Sequence, residues 1–475
     1  MRKRFEVNPV LNLTPIEDVK LPLKSRDELP AILAGLQWIF VNDELNNKIF
    51  PLIEKDVIKG SGDTGRPGMD LWHIFVLASV RLGLDLDFDK LEDLANHHKL
   101  IRLILGVDDI WNNVYFKYRT INDNVSLIKD ETLKTINKIV AKHGRILLND
   151  GKDNKLHLKT DSYAFECNVH FPTDLSLTWD CIRKCITLIS NDEKLYILGS
   201  WRKHSYWMSE LKSKYRSCSC TVFSGGKNKE KRVREKTLGF LENCLKLSDK
   251  VDFTLKTAAL HGILRPDIDY FHSMLKKHID LVSRRLLNGE KIPHEEKLFS
   301  IFETHTEWIS KGKKHPSVEL GHRLLITTDE NDLILDYKVM INEHDSEQVV
   351  GLVNRITDNF GLNSIFSMSF DKGFASKLNK NYAEKFTEHL CMPKKGKRNR
   401  AETEEESQKQ FGKLRKKHSA VESNINCLEH HGLDRCPDKG INAYVRYAGV
   451  GVLVYNLHKI GNFIIKNKLK KYVAA

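Results

Sequence analysis

Two short alternating runs, LHLKT (156–160) and SIFSMSF (364–370), each lead directly into an aspartate: Asp161 and Asp371. Leu156, Leu158 and Thr160 alternate with His157, Lys159 and Asp161, and Phe366, Met368 and Phe370 alternate with Ser367, Ser369 and Asp371. A period of two marks a strand whose faces differ. Both carboxylates are therefore expected at strand ends, leaving the more apolar face. A long tract of chain separates the runs, so any sheet that contains both must be assembled from distant segments. This requirement constrains the fold more than any other feature.

A third acid, Glu422, lies in a helical pattern beside an apolar stripe of Val421, Ile425 and Leu428, with His418 one turn earlier. Such a carboxylate has reason to point at a sheet. Two carboxylates at strand ends and one on a helix can converge to hold two divalent cations, the equipment for in-line attack on a phosphodiester. Taken singly, each acid has a plainer explanation. The chain has 63 Asp and Glu, and an Asp at a strand end is most often a turn residue or helix cap. Asp371, followed by Lys372 and Gly373, suits a turn as well as catalysis. The catalytic reading needs all three to meet, and an edge of the sheet is the expected meeting place.

Periodicity divides the rest of the chain. Residues 1–150 read as a helical N-terminal domain, with an apolar helix at 70–84 and two shorter ones at 88–96 and 100–105. The latter pair is compatible with a DNA-binding helix-turn-helix or with an ordinary helical bundle. Residues 151–475 read as a second domain, interrupted at about 172–315 by a largely helical insertion. Arg323–Thr328 and Leu333–Met340 flank turn residues and form a hairpin. A helix from about 346 to 360, the strand ending at Asp371, a helix at 374–386 and a short strand HLCMP follow. The order gives an α/β fold: a mixed five-stranded sheet with flanking helices.

The net charge of +13 favours a polyanionic partner. Its placement is uneven. Between Pro393 and Lys417 ten Lys or Arg face four Glu, among them Lys394, Lys395, Lys397, Arg398, Arg400, Lys413, Arg415, Lys416 and Lys417. This reads as a basic loop leading into the Glu422 helix. In a second stretch Trp201, Tyr206, Trp207 and Tyr215 are interleaved with cations including Arg202, Lys203, Arg232 and Arg234. Cations meet phosphates and rings stack on exposed bases, so both stretches are candidate DNA contacts; a solvated surface is the plainer alternative.

No run of eighteen uncharged apolar residues is present, and the start, MRKRFEVNPVLNL, lacks the apolar core of a secretion signal. A cytoplasmic protein without a membrane span is expected. Nine cysteines, an odd number, argue against a disulfide framework in that setting. Cys218 with Cys220, and Cys427 with His430, His431 and Cys436, suggest zinc, but neither has a second C-x-x-C half at usable spacing.

The segment DSYAFECNVHFPTD (161–174) resembles that around the first aspartate of bacterial insertion-sequence DDE transposases, where D-[ST]-x(3)-E-x-N-x-H-x-P-T-D recurs. HSAVESNINCLEHHGLDRCPDKG (418–440) is similar to their segment around the final glutamate. More weakly, ELGHRLLI looks like the family's second strand and FDKGF like its second aspartate. The resemblance spans roughly Gly65 to Val454. It implies an RNase H-like, retroviral-integrase-like core with Asp161, Asp371 and Glu422 as the catalytic triad. It also implies two Mg²⁺ ions (Mn²⁺ substituting), with Asp161 bridging both, and a homodimer joining terminal inverted repeats to target DNA. One departure stands out. Relatives often carry an arginine four residues before the glutamate and a lysine seven after it; here His418 and Glu429 occupy those places, with Lys416, Lys417 and Arg435 as possible substitutes. Glu166 and Asp174 are rival acids, which would otherwise pair with a cation and cap a helix. A structure-specific nuclease and a non-catalytic DNA-binding descendant are the alternative functions.

Overall fold

The computed structural model describes residue 4 and residues 14–58, 68–107, 114–152, 155–310 and 317–474. Apart from Arg4, the charged N-terminal run lies outside them. The chain forms two compact units, 1–168 together with 309–475, and 169–308. The helices before Leu148 thus share a unit with the sheet, a different division from the expected break near residue 150. The inserted unit is bounded at 169 and 308 where periodicity gave about 172 and 315.

The sheet has seven strands: β1 (Leu156–Cys167), β2 (Glu307–Ser310), β3 (Val318–Thr328), β4 (Ile334–Met340), β5 (Ile365–Phe370), β6 (His389–Cys391) and β7 (Arg435–Cys436). Their order is β2–β3–β1–β5–β6, with β4 also on β3 and β7 also on β1. β3 is antiparallel to β1 and β4, whereas β5 is parallel to β1 and β6. The expectation of five strands is corrected to seven, because β2 and β7 are too short to show a period. The alternation in β1 is realised, with Leu156, Leu158 and Thr160 buried and Asp161 on the other face. In β5 it is not. Ser367 and Ser369 are as buried as their neighbours because both faces of this interior strand are covered. Ser367 meets His157 Nδ1 at 2.9 Å, and Ser369 donates to the Leu158 carbonyl at 3.2 Å.

The helix Ile441–Ala474 organises this unit. It packs against the helices Leu29–Phe40, Leu71–Gly83 and Asp130–Leu148. Gly35 and Gly461 face backbone of the opposing helix so closely that a Cβ at either would clash with it. Asn456 accepts from the Ile334 amide (2.8 Å) and donates to Asn137 (2.8 Å), satisfying backbone of β4 with buried side chains. By length and composition this helix could cross a membrane, contrary to the expectation that no segment could, because its few charges are widely spaced. In this structure 67% of its most apolar window is buried inside the protein.

Other expectations need adjustment. Phe88–His97 and Lys99–Leu105 are joined through His98 alone, tighter than the three- or four-residue turn of a helix-turn-helix. They are consecutive bundle helices, with Ile101, Ile104 and Leu105 buried. The basic loop is largely helical, Arg400–Ser407 and Lys409–His418, because Asn399 and Glu402 form a capping box that starts the first helix.

The inserted unit is helical: Asp174–Ser190, Glu193–Leu198, His204–Phe223, Lys229–Leu260 and Pro266–Leu286. Its core includes Cys181, Ile182, Cys185, Phe240, Cys244 and Leu247.

Candidate functional site

Register brings the two aspartates side by side. Thr160 of β1 pairs with Phe370 of β5 in parallel, so the next residue on each strand is an acid. Asp161 therefore stands where β5 ends, at the centre of the sheet and not at an edge; it lies inside β1, which runs on to Cys167 in pairing with β3, and not at a strand end as expected. Asp371 leaves the sheet as the residue before a short 3₁₀ turn, Lys372–Phe374. Glu422 lies in the first turn of the helix Ala420–Leu428. That helix is held over the sheet by Asn424, a buried residue whose amide reaches Asp332 (3.1 Å) and accepts from Tyr455 (2.9 Å).

The electrostatics of Asp161 show which acids are its neighbours. Burial pushes its carboxyl up to about 7, and the charges of Asp371, Asp345 and Glu422 add to the rise; the Ser162 amide opposes it. Among the described residues no lysine or arginine is within ion-pair distance of any of these four carboxylates. Three of the four were singled out from the sequence. Asp345 was missed. It follows β4 in a short turn, Asp345–Glu347, a setting shared by any acid at the start of a helix. Ser162 donates to its Oδ1 at 2.6 Å, and its Oδ2 lies 3.0 Å from where a Cβ on Gly373 would sit. Asp345 is therefore wedged between β1 and the turn after Asp371. Among the described residues, the groups whose ligand atoms lie within 4.8 Å of one another do not include these acids.

His418 ends the helix before Glu422. Its Nδ1 lies 3.1 Å from Ser369 Oγ. That hydroxyl donates to Leu158, so it accepts from Nδ1–H and leaves the lone pair on Nε2, which has no protein partner. Burial lowers the pKa of His418, while Asp371 and Glu422 pull it upward.

The rivals are accounted for otherwise. Glu166 pairs with Arg435 at 2.6 Å, which also removes Arg435 as a free phosphate contact. Asp174 pairs with Arg285 at 2.9 Å; the helix cap is Thr173, in a capping box with Ser176, and not Asp174.

The basic candidates divide. Lys394 pairs with Glu402 (2.7 Å), Arg398 with Glu406 (2.7 Å) and Arg400 with Glu404 (3.2 Å), so the local charge excess is partly cancelled. Lys395 and Lys397 are exposed. Lys413, Arg415, Lys416 and Lys417 are exposed on the helix leading to Glu422, and among the described residues no carboxylate pairs with them. In the inserted unit Arg202, Lys203, Arg232 and Arg234 are exposed, but the stacking rings are largely committed. Trp201 is fully buried and donates to Thr254 at 2.9 Å, Tyr215 stacks on Trp179, and Trp207 packs on the core. Only Tyr206 of the four remains well exposed, at 63%.

Compared with protein-family models, curated proteins and solved structures, the chain matches none.

Proposed function

We propose that this chain is a DDE transposase that binds transposon-end DNA and catalyses metal-dependent strand cleavage and strand transfer. The observation that carries the reading is the strand register that sets Asp161 beside Asp371, with Glu422 and Asp345 near enough to raise the Asp161 pKa and, among the described residues, no cation paired with any of the four. Such a group costs stability, and bound cations relieve the cost. The sheet supports the same reading: β4–β3–β1–β5–β6, with β3 reversed, is the strand arrangement expected of an RNase H-like core.

An all-oxygen donor set suits Mg²⁺, with Mn²⁺ as substitute. When bound, two such ions supply Lewis acidity to an attacking water or 3′-hydroxyl and to the leaving oxygen. The chain's residues do the rest. Asp161, Asp371 and Glu422 would hold the ions, with Asp161 as the carboxylate common to both. Ser162 fixes Asp345, which steadies the turn that follows Asp371. His418 offers Nε2 as a proton acceptor beside Asp371 and Glu422. Lys413, Arg415, Lys416 and Lys417 track the DNA backbone toward the acids. Two ends must be joined, so a homodimer acting in the cytoplasm is part of the proposal.

The test is a cleavage and strand-transfer assay on DNA carrying the inverted repeats that flank the gene, with Mg²⁺, Mn²⁺ or chelator. Transfer products with either metal support the reading. Cleavage without transfer points to a structure-specific nuclease, and DNA binding without cleavage to a non-catalytic descendant.

A further inference from the structure

A second cluster, chemically unlike the first, lies beyond the far end of the Glu422 helix. After Leu428 the helix opens into a wide turn, Glu429–Leu433, in which His431 (φ −92°, ψ 29°) and Gly432 (φ 79°, ψ 6°) leave helical geometry. Gly432 is required there. Its φ is left-handed, and a Cβ would sit 2.5 Å from Asp85 Oδ1 and 2.9 Å from the Tyr447 hydroxyl. The turn delivers His431 into the interior, fully buried, with Nδ1 2.9 Å from the Gly83 carbonyl. Its ring faces His458 of the Ile441–Ala474 helix at 5.0 Å between centroids, inclined by 72°. Cys427 lies one turn before His431.

Two ring nitrogens here, His431 Nε2 and His458 Nδ1, are buried without a hydrogen-bond partner. One ligand atom from each of Cys427, His431 and His458 lies within 4.8 Å of the others. Two histidines packed merely as core would leave both nitrogens unsatisfied, which buried polar groups seldom are. We propose that Cys427, His431 and His458 bind a Zn²⁺ ion that pins the Glu422 helix to the C-terminal helix.

The chemistry of the donors agrees. A carbonyl accepts only, so His431 Nδ1 carries the proton given to Gly83, and its Nε2 presents a lone pair. The Gly83 carbonyl is thus the acceptor behind His431, as is common behind zinc ligands, and Glu28 Oε2 lies 3.3 Å from the same Nδ1. His458 Nε2 lies 3.1 Å from the Asn462 amide. The near atom is the amide nitrogen, which donates to Nε2; zinc binding therefore requires the Asn462 amide to flip, so that its oxygen accepts from Nε2–H and Nδ1 is left to ligate. Burial keeps His458 neutral, the ligating form. The Cys427 thiol, raised by burial, releases its proton to solvent as its sulfur bonds the metal. Lys459 is the nearby cation, lowering both groups, and Glu28 opposes it at Cys427. Tetrahedral zinc places its sulfur and nitrogen ligands roughly 3.3–3.8 Å apart, so the cluster needs to contract by only about 1–1.5 Å, and the fourth position falls to water. A thiolate and two imidazoles select zinc over magnesium, which keeps this site distinct from the carboxylates. The zinc site stands independently of the transposase reading.

The experiment loads the full-length, chelator-stripped chain with Co²⁺ and with Zn²⁺. The wild type should bind one zinc per chain, and its cobalt form should show a thiolate charge-transfer band in the near ultraviolet with tetrahedral bands in the visible. Cys427→Ser should lose the charge-transfer band, and His458→Gln should weaken zinc binding by about 100-fold or more. His430→Gln, Cys436→Ser and Asp161→Asn should leave both readouts unchanged. A wild type without the charge-transfer band overturns the proposal whether or not the variants fold. Unaltered binding in Cys427→Ser and His458→Gln overturns it equally.

Discussion

The paired acids of the inserted unit and four acids of the sheet unit are treated in opposite ways. In the inserted unit, carboxylates both buried and exposed are matched to cations: Asp174 to Arg285, Asp180 to His170 and Arg183, Asp192 to Arg265, and Glu290 and Glu296 to Arg284. In the sheet unit, Asp161, Asp345, Asp371 and Glu422 crowd together, and Asp161 is driven to hold its proton to about 7. A fold selected for stability alone pairs or removes such charges. Under the proposed function, the inserted unit's acids serve architecture and these four serve a ligand that brings positive charge.

The largest expected effect is on chemistry. Asp161→Asn keeps the size and removes the charge, so Mg²⁺-dependent cleavage should fall to background while end-DNA binding persists, both measured on the same purified variant. Surviving cleavage would return the role to another acid; joint loss of folding and binding would make Asp161 structural. Asp345→Asn should reduce cleavage less, about 10–100-fold, since it acts by positioning.

The next effect is on stability. Asp161 binds its proton more tightly folded than unfolded, so the folded state is favoured at low pH. That advantage is lost as pH rises from about 4 to about 7. Across that window metal-free wild type should lose about 2–4 kcal/mol more than Asp161→Asn, which keeps the similar contribution of buried Asp329, as followed by urea unfolding. In the inserted unit the sign attaches to a different group. Asp180 raises the pKa of His170, so their pairing stabilises fully below the unfolded histidine value and fades as pH climbs through the raised one. His170 is half exposed, so Asp180→Asn should cost only about 0.5–1 kcal/mol near pH 6 and less near pH 9.

Much of this contrast is legible in the sequence, for physical reasons that differ between residues. The period-two run into Asp161 exposes its face assignment directly, and the stripe beside Glu422 does the same for a helix. Ser367 and Ser369 mislead because an interior parallel strand buries both faces and satisfies its hydroxyls by hydrogen bonds. Asp345 is hidden because its importance lies in the partner Ser162, far off in the chain. The basic tract is misread as free charge because its glutamates fold back onto Lys394, Arg398 and Arg400 through helix formation. His458 is absent from any sequence reading of zinc because helix packing alone brings it to Cys427 and His431.

The smallest expected effect separates the two halves of that basic tract. Neutralising Lys413, Arg415, Lys416 and Lys417 should lower the log–log salt slope of DNA binding by about 0.9 for each phosphate that is no longer neutralised. Neutralising Lys394, Arg398 and Arg400, already paired with glutamates, should lower the slope by less than about 0.9 in all. Equal slopes for the two variants would mean that pairing does not decide which cations meet DNA.

If four unpaired carboxylates await divalent cations, calorimetric titration of Mn²⁺ into the zinc-loaded wild type and Asp161→Asn, at pH 6 and pH 8, shows it most directly. Ligation requires Asp161 to give up its proton, so wild-type affinity should rise steeply between those values, approaching two ions per chain, and Asp161→Asn should bind weakly at both. Mn²⁺ binding that is absent from the wild type, indifferent to pH, or unchanged in Asp161→Asn would contradict the assignment of these carboxylates to a metal centre.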